Sequence, residues 1–92
     1  MLHRQLRSAL EEIFGADFVS EALGQAELAQ SVIHESPDQF KQAVLGFQRL
    51  NYRDEQTEYA DRLETSFGIA LVCSLLDTST REYVAELGLS YL

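Results

Sequence analysis

"IALVCSLLDTSTRE", residues 69–82, decides how the rest of the chain is read. Its first eight positions are apolar except Ser74, and its last six are all polar or charged. The apolar run is far short of the roughly 20 residues that cross a bilayer. Wound as a helix it is apolar nearly all round, so it must be covered on more than one side. The cover is either the rest of the same chain or a second copy of it. The polar half reads as a helix start. Ser79 fits an N-cap, and Glu82 stands where it would close a capping box. Val84, Leu87 and Tyr91 then carry the buried side of a C-terminal helix.

Upstream, Tyr52, Tyr59, Leu63, Phe67, Ala70 and Ser74 fall within a narrow arc at helical spacing. The pattern predicts one helix from about Asp54 to Leu76. Before it, "ESPDQF" at residues 35–40 is the clearest start signal in the chain. Ser36 is the expected N-cap, Pro37 takes the first helical position and Gln39 can reach back. Phe40, Ala43, Val44, Phe47 and Leu50 form the stripe that follows, with Asn51 as the stop. At the N-terminus, Leu2, Leu6, Leu10 and Ile13 line one face, and Gly15 stands where a C-terminal cap belongs. Asp17 is placed to cap the next segment, in which Phe18, Val19, Ala22, Leu23, Ala26, Ala29, Val32 and Ile33 keep the spacing. Gly24 interrupts that segment, and a kink or break is expected there. The expected fold is all-α: a compact bundle of four to five short helices in one domain, residues 1–92. It is a homodimer if a second copy supplies the cover for residues 69–76.

Composition narrows the function. The chain has 92 residues and a net charge of −8, from fifteen acids against seven Lys and Arg. Nucleic-acid affinity is dominated by neutralising phosphates, so direct nucleic-acid binding is not expected. A basic protein partner remains compatible with that charge. Arg4 and Arg7 precede no long apolar region or small-residue cleavage site, and there is one Cys. These features read as a mature, cytoplasmic chain without a membrane segment.

"EYVAELGLS", residues 82–90, invites comparison with a helix-turn-helix. The spacing from Ala85 to Gly88 is three rather than four, and hardly a turn follows to enter a groove. The segment reads instead as a capped amphipathic helix on the core, with Gly88 either within it or at its fraying end.

No catalytic, cofactor or metal motif is visible. Cys73 lies in the most apolar stretch with nothing basic nearby, which suits a small buried hydrophobe better than a nucleophile. His3 and His34 lack the Glu-x-x-His spacing of helical metal sites. His34 near a helix end suits the C-terminal dipole, and His3 reads as solvated.

Two charge patterns stand out. On a helix, Asp54, Glu58 and Asp61 share one face, opposite Tyr59 and Leu63. That face is either simply solvated or a ridge for a basic partner. Arg4 and Arg7, with His3, put positive charge at a helix N-terminus, where the dipole prefers acids. Pairing with the acidic body of the fold or with a second subunit would explain them, and so would contact with an acidic partner group. The functional expectation is a non-catalytic protein–protein interaction module, a small cytoplasmic adaptor or regulator. The alternative is an acidic inhibitor or nucleic-acid mimic, of the phage-defence or immunity type, occupying a basic site on its target.

Overall fold

The computed structural model describes residues 2–50 and 53–89, with side chains from residue 4 onward. Expectations placed on Asn51, Tyr52 and Tyr91, and on the side chains of Leu2 and His3, lie outside the described residues. Within them the chain forms seven α-helices and no strand: α1 (Leu2–Phe14), α2 (Ala16–Leu23), α3 (Ala26–Glu35), α4 (Pro37–Gln48), α5 (Arg53–Arg62), α6 (Thr65–Leu76) and α7 (Thr78–Glu86).

The all-α class stands, but four to five helices become seven. One extra boundary is the expected break at Gly24. The other divides the expected Asp54–Leu76 helix. Glu64 is extended there (φ −60°, ψ 146°), and the Leu63 amide turns back to the Ala60 carbonyl at 3.1 Å. Length supplies a physical reason. A straight 23-residue helix would be about 35 Å long, against a longest molecular dimension of 30 Å. Unbroken, its polar half would project into solvent and Tyr59, Ala60 and Leu63 would lose their packing.

α6 is the axis of the molecule. It touches α1, α2, α3, α4 and α7. Every residue from Gly68 to Ser74 is buried, and so is Leu76. The apolar run is therefore covered by its own chain, which removes the particular reason for requiring a second copy. Leu10, Ile13, Val19, Ala29, Ile33, Phe40, Val44 and Val84 complete the core around it. Phe14 links its α1 end to the other helices, with ring centroids 5.3 Å from Phe18 and 6.3 Å from Phe47. The buried polar groups are satisfied locally. Ser74 Oγ donates to the Leu71 carbonyl at 2.8 Å, and Thr80 Oγ1 donates to Asp77 at 2.8 Å.

Several expected caps are built differently. Gly15, not Asp17, is the N-cap of α2, and Asp17 lies in the first turn, where its charge suits the dipole. Ser36 occupies the N-cap of α4 with Pro37 behind it, but its side chain makes no capping bond, so the box with Gln39 is not formed. α4 ends at Gln48, before Leu50. α7 begins at Thr78, with its N-cap at Asp77, two residues ahead of the expected Ser79. One Asp77 oxygen accepts from the Thr80 amide at 2.9 Å, the Thr80 hydroxyl at 2.8 Å and the Ser79 hydroxyl at 2.9 Å. A carboxylate is a stronger acceptor than a serine hydroxyl, so it takes the cap.

The end of α7 answers the helix-turn-helix comparison. Gly88 has φ +80°. Its amide bonds Ala85 at 3.0 Å, and the Leu89 amide bonds Val84 at 3.1 Å. That pair of bonds is a Schellman stop, which needs a left-handed residue and favours Gly. Leu89 folds back onto the core. Leu87, expected inside, is 39% exposed just past the last turn.

Candidate functional site

α5 is held to the bundle by few contacts. Ala60 is its one buried residue. Tyr59 packs its ring on Phe47, with centroids 6.3 Å apart. Its hydroxyl donates to the Ala43 carbonyl of α4 at 2.9 Å, and burial pushes the phenol pKa up. Gly46 makes this approach possible, because a Cβ there would lie 2.5 Å from the Tyr59 oxygen. Gln56 Nε2 donates to the Leu50 carbonyl at 3.2 Å, and Arg53 pairs with Glu12 of α1.

With that side fixed, Asp54, Glu58 and Asp61 stand exposed on the other. Among the described residues only Glu58 has a cation within 4 Å, Arg62 at 3.9 Å, and both side chains are mostly in solvent. Such a pair contributes a few tenths of a kcal/mol. Residues 54–64 carry five carboxylates and one guanidinium, a net −4 out of the chain's −8. Half the charge imbalance therefore sits on eleven consecutive residues. That concentration is readable without a structure by summing charge in a window.

Where α5 ends, a slot of about 280 Å³ opens between α4 and α6. Gln39 and Ala43 come from α4, Arg62 from the end of α5, Leu63 and Glu64 from the break, and Phe67 from α6. Ala43, Leu63 and Phe67 are its apolar part. Helical periodicity gave no sign of it, because the slot exists only where the helix is interrupted.

Arg4 and Arg7 are not part of this surface. They line a concavity of about 360 Å³ with Leu23 and Leu76, and no residue of the α5 ridge borders it. Leu23 and Leu76 are the last residues of α2 and α6, neither of which has a basic residue in its own last turn. The two arginines are at the unfavourable end of α1 but beside the C-terminal ends of two other helices, where positive charge is favoured. Arg7 also lies 3.7 Å from Glu11. Arg7 thus has a charge partner within α1 itself.

Cys73 is fully buried, as expected. Its thiol donates to the Ala22 carbonyl at 2.9 Å, near the end of α2. Burial, helped by the charge on Asp77, pushes its pKa up to about 11. His34 is exposed in the last turn of α3. It borders an open concavity of about 380 Å³ with Glu27, Glu35 and Tyr83. Among the described residues no three His, Cys, Asp or Glu side chains are grouped to hold a metal ion, and no helix is long and apolar enough to cross a membrane.

No family model, no curated protein and no solved structure matches this chain.

Proposed function

We propose that the protein is a non-catalytic protein–protein interaction module, a small cytoplasmic adaptor or regulatory protein, and that it presents α5 to a basic protein partner. The observation that carries this reading is the exposure of Asp54, Glu58 and Asp61 together on one face of α5, a helix whose inner face is anchored. Asp54, Glu58 and Asp61 extend over about 10 Å of helix, and neither aspartate is neutralised by a neighbouring cation within 4 Å among the described residues. Nothing in this reading requires a homodimer.

The same concentration of charge favours a second reading, an acidic inhibitor or nucleic-acid mimic that fills a basic site. The two differ in salt dependence: a site filled by charge alone loses affinity as ions screen it, whereas an adaptor that also docks through apolar contact keeps part of its affinity.

The test compares the parent with a D54K/E58K/D61K variant as bait in native lysate, at low and high salt. Circular dichroism checks that both fold. The expected result is a partner held by the parent and lost by the variant. Retention at high salt favours the adaptor and loss favours the mimic. Equal capture by both baits would remove α5 as the binding face and sink both readings.

A further inference from the structure

We infer that α5 is a latched strap: it releases and unwinds as a unit while α1–α4, α6 and α7 stay folded, and Tyr59 is its latch. No partner is needed for this, so it stands apart from the proposed binding role.

The core does not depend on α5. The axis α6 is covered by α1, α2, α3, α4 and α7, and α5 packs on α1 and α4. Ala60 is the one buried residue that α5 gives to the core, and at 9% it is the most exposed residue there. In RDEQTEYADR only Tyr59 and Ala60 are apolar. Release therefore returns to water those two side chains and the part of Phe47 on which Tyr59 packs, a small share of what is buried.

Both ends of α5 are already interrupted. α4 stops at Gln48, before Arg49, and Glu64 is extended just past α5. The ladder of helical hydrogen bonds does not run through either junction, so α5 can unwind without unwinding its neighbours. Once released it does not stay wound. It has ten residues, fewer than the roughly 12–15 below which isolated helices are marginal in water. Undocking and unwinding are thus one event.

The fastenings of the strap are unequal. The Arg53 and Glu12 side chains are each more than half exposed, and such pairs contribute little. Gln56 bonds the Leu50 carbonyl, six residues away, which ties α5 to its own connection and not to the bundle. Tyr59 combines a hydrogen bond to Ala43 of α4 with a ring contact to the buried Phe47, and Gly46 leaves room for it. The outer face follows the latch. Asp54, Glu58 and Asp61 share a side only while the helix is wound, so Tyr59 sets how much of the ridge exists at any time.

Native-state amide exchange on the whole chain, read residue by residue under conditions where rates report opening equilibria, tests this. Amides of residues 57–62 report α5 and those of 70–75 report α6. In the parent, α5 should be protected roughly a hundredfold less than α6, with rates that hardly change in dilute urea while those of α6 climb. Leu71→Ala and the milder Ile33→Val weaken the core on α6 and α3. Both should speed exchange in α6, Ile33→Val by about threefold or more, and leave α5 unchanged. If Leu71→Ala fails to fold, Ile33→Val decides. Tyr59→Phe keeps the ring, removes the hydrogen bond and should speed exchange in α5 about tenfold.

Equal acceleration of α5 and α6 by a core variant would mean that α5 opens only with the whole molecule, and the inference falls. Unchanged α5 exchange in Tyr59→Phe would mean that Tyr59 is no latch, and it falls likewise. Neither result bears on the binding role, which capture from lysate decides.

Discussion

α5 and α6 follow one another in the chain, separated by Leu63 and Glu64. α5 has one buried residue in ten and α6 has eight in twelve. α5 is fixed by a tyrosine hydroxyl, a glutamine amide and an ion pair, and α6 by contact with five other helices. Both satisfy the same helical spacing, so spacing alone does not say how a helix is used. What separates them is which atoms leave water. Burying α6 supplies the apolar area that stabilises the fold, at roughly 25 cal/mol per Å². α5 contributes little area, and its charges remain solvated. Substitutions along these two helices should therefore act on different properties, with the largest effects on stability confined to α6.

Leu71→Ala should have the largest effect. Leu71 is 1% exposed at the centre of α6. Truncating such a leucine costs about 2–5 kcal/mol, out of a total on the order of 5–14 kcal/mol for a chain of this size. Urea unfolding checks it. A loss below about 1 kcal/mol would mean that α6 is not the close-packed axis described here.

The two ends of α6 give a finer contrast. At its start Glu64 makes no capping bond with its side chain, so Glu64→Ala should stay within about ±0.5 kcal/mol. At its far end Asp77 caps α7, and Asp77→Ala should cost about 0.5–2 kcal/mol. The pH dependence follows from the carboxyl. Burial alone would raise its pKa, but hydrogen bonds from the Thr80 hydroxyl and amide and from Ser79 hold it below the ordinary value. Its contribution is then complete above the unfolded pKa of about 3.9. It is lost as pH falls through the lower folded-state value. Unfolding of parent and variant at pH 7 and near pH 2 should show the gap at the higher pH and its shrinkage at the lower. An equal gap at both would mean that Asp77 acts other than through its charged form.

Gly46→Ala tests what fastens α5. Helix propensity predicts a gain of about 1 kcal/mol. Contact predicts the opposite, since the new Cβ would meet the Tyr59 oxygen at 2.5 Å and Cζ at 3.0 Å. Displacing Tyr59 forfeits a hydrogen bond and a ring contact, together about 1–3 kcal/mol. The expected outcome is a net loss of about 1 kcal/mol, with faster hydrogen exchange in α5 and unchanged exchange in α6. A stabilised variant would show that Tyr59 does not hold α5.

Much of this was legible in the sequence, for reasons that differ by residue. The all-helical class, Pro37 at the start of α4, the break at Gly24 and the buried Cys73 follow from backbone chemistry and local polarity. The break at Leu63–Glu64 did not, because no glycine or proline marks it. It arises from the size of the molecule, which no window of neighbouring residues contains. The cap at Asp77 was missed in favour of Ser79 because both residue types cap well and only the three donors around one oxygen decide between them. Arg4 and Arg7 stood out in the sequence as charges at the unfavourable end of α1, but which elements lie beside them, the ends of α2 and α6, depends on the tertiary fold. The exposure of Asp54, Glu58 and Asp61 was legible from their spacing. The slot at the helix break was not, since it depends on how α4 and α6 meet.

Neutralising the ridge should have the smallest effect on stability and so gives the sharpest form of the contrast. D54N/E58Q/D61N replaces three exposed carboxylates by isosteric amides and removes one pair at 3.9 Å between mostly solvated groups. That pair contributes no more than a few tenths of a kcal/mol. Losing Asp54 removes an acid from the first turn of α5, a cost of about 0.3–1 kcal/mol. Relief of repulsion between carboxylates on one face, itself a few tenths per pair, works in the other direction. The opposing terms leave a net change within about ±0.5 kcal/mol, measurable by thermal unfolding at low and at physiological salt. A loss above about 1 kcal/mol would show that the ridge is needed to hold α5 in place. A near-zero change means that three of the chain's fifteen acids stand where folding gains almost nothing from them. Capture from lysate then separates the two uses of the helix, since its inner face answers to unfolding and its outer face to binding.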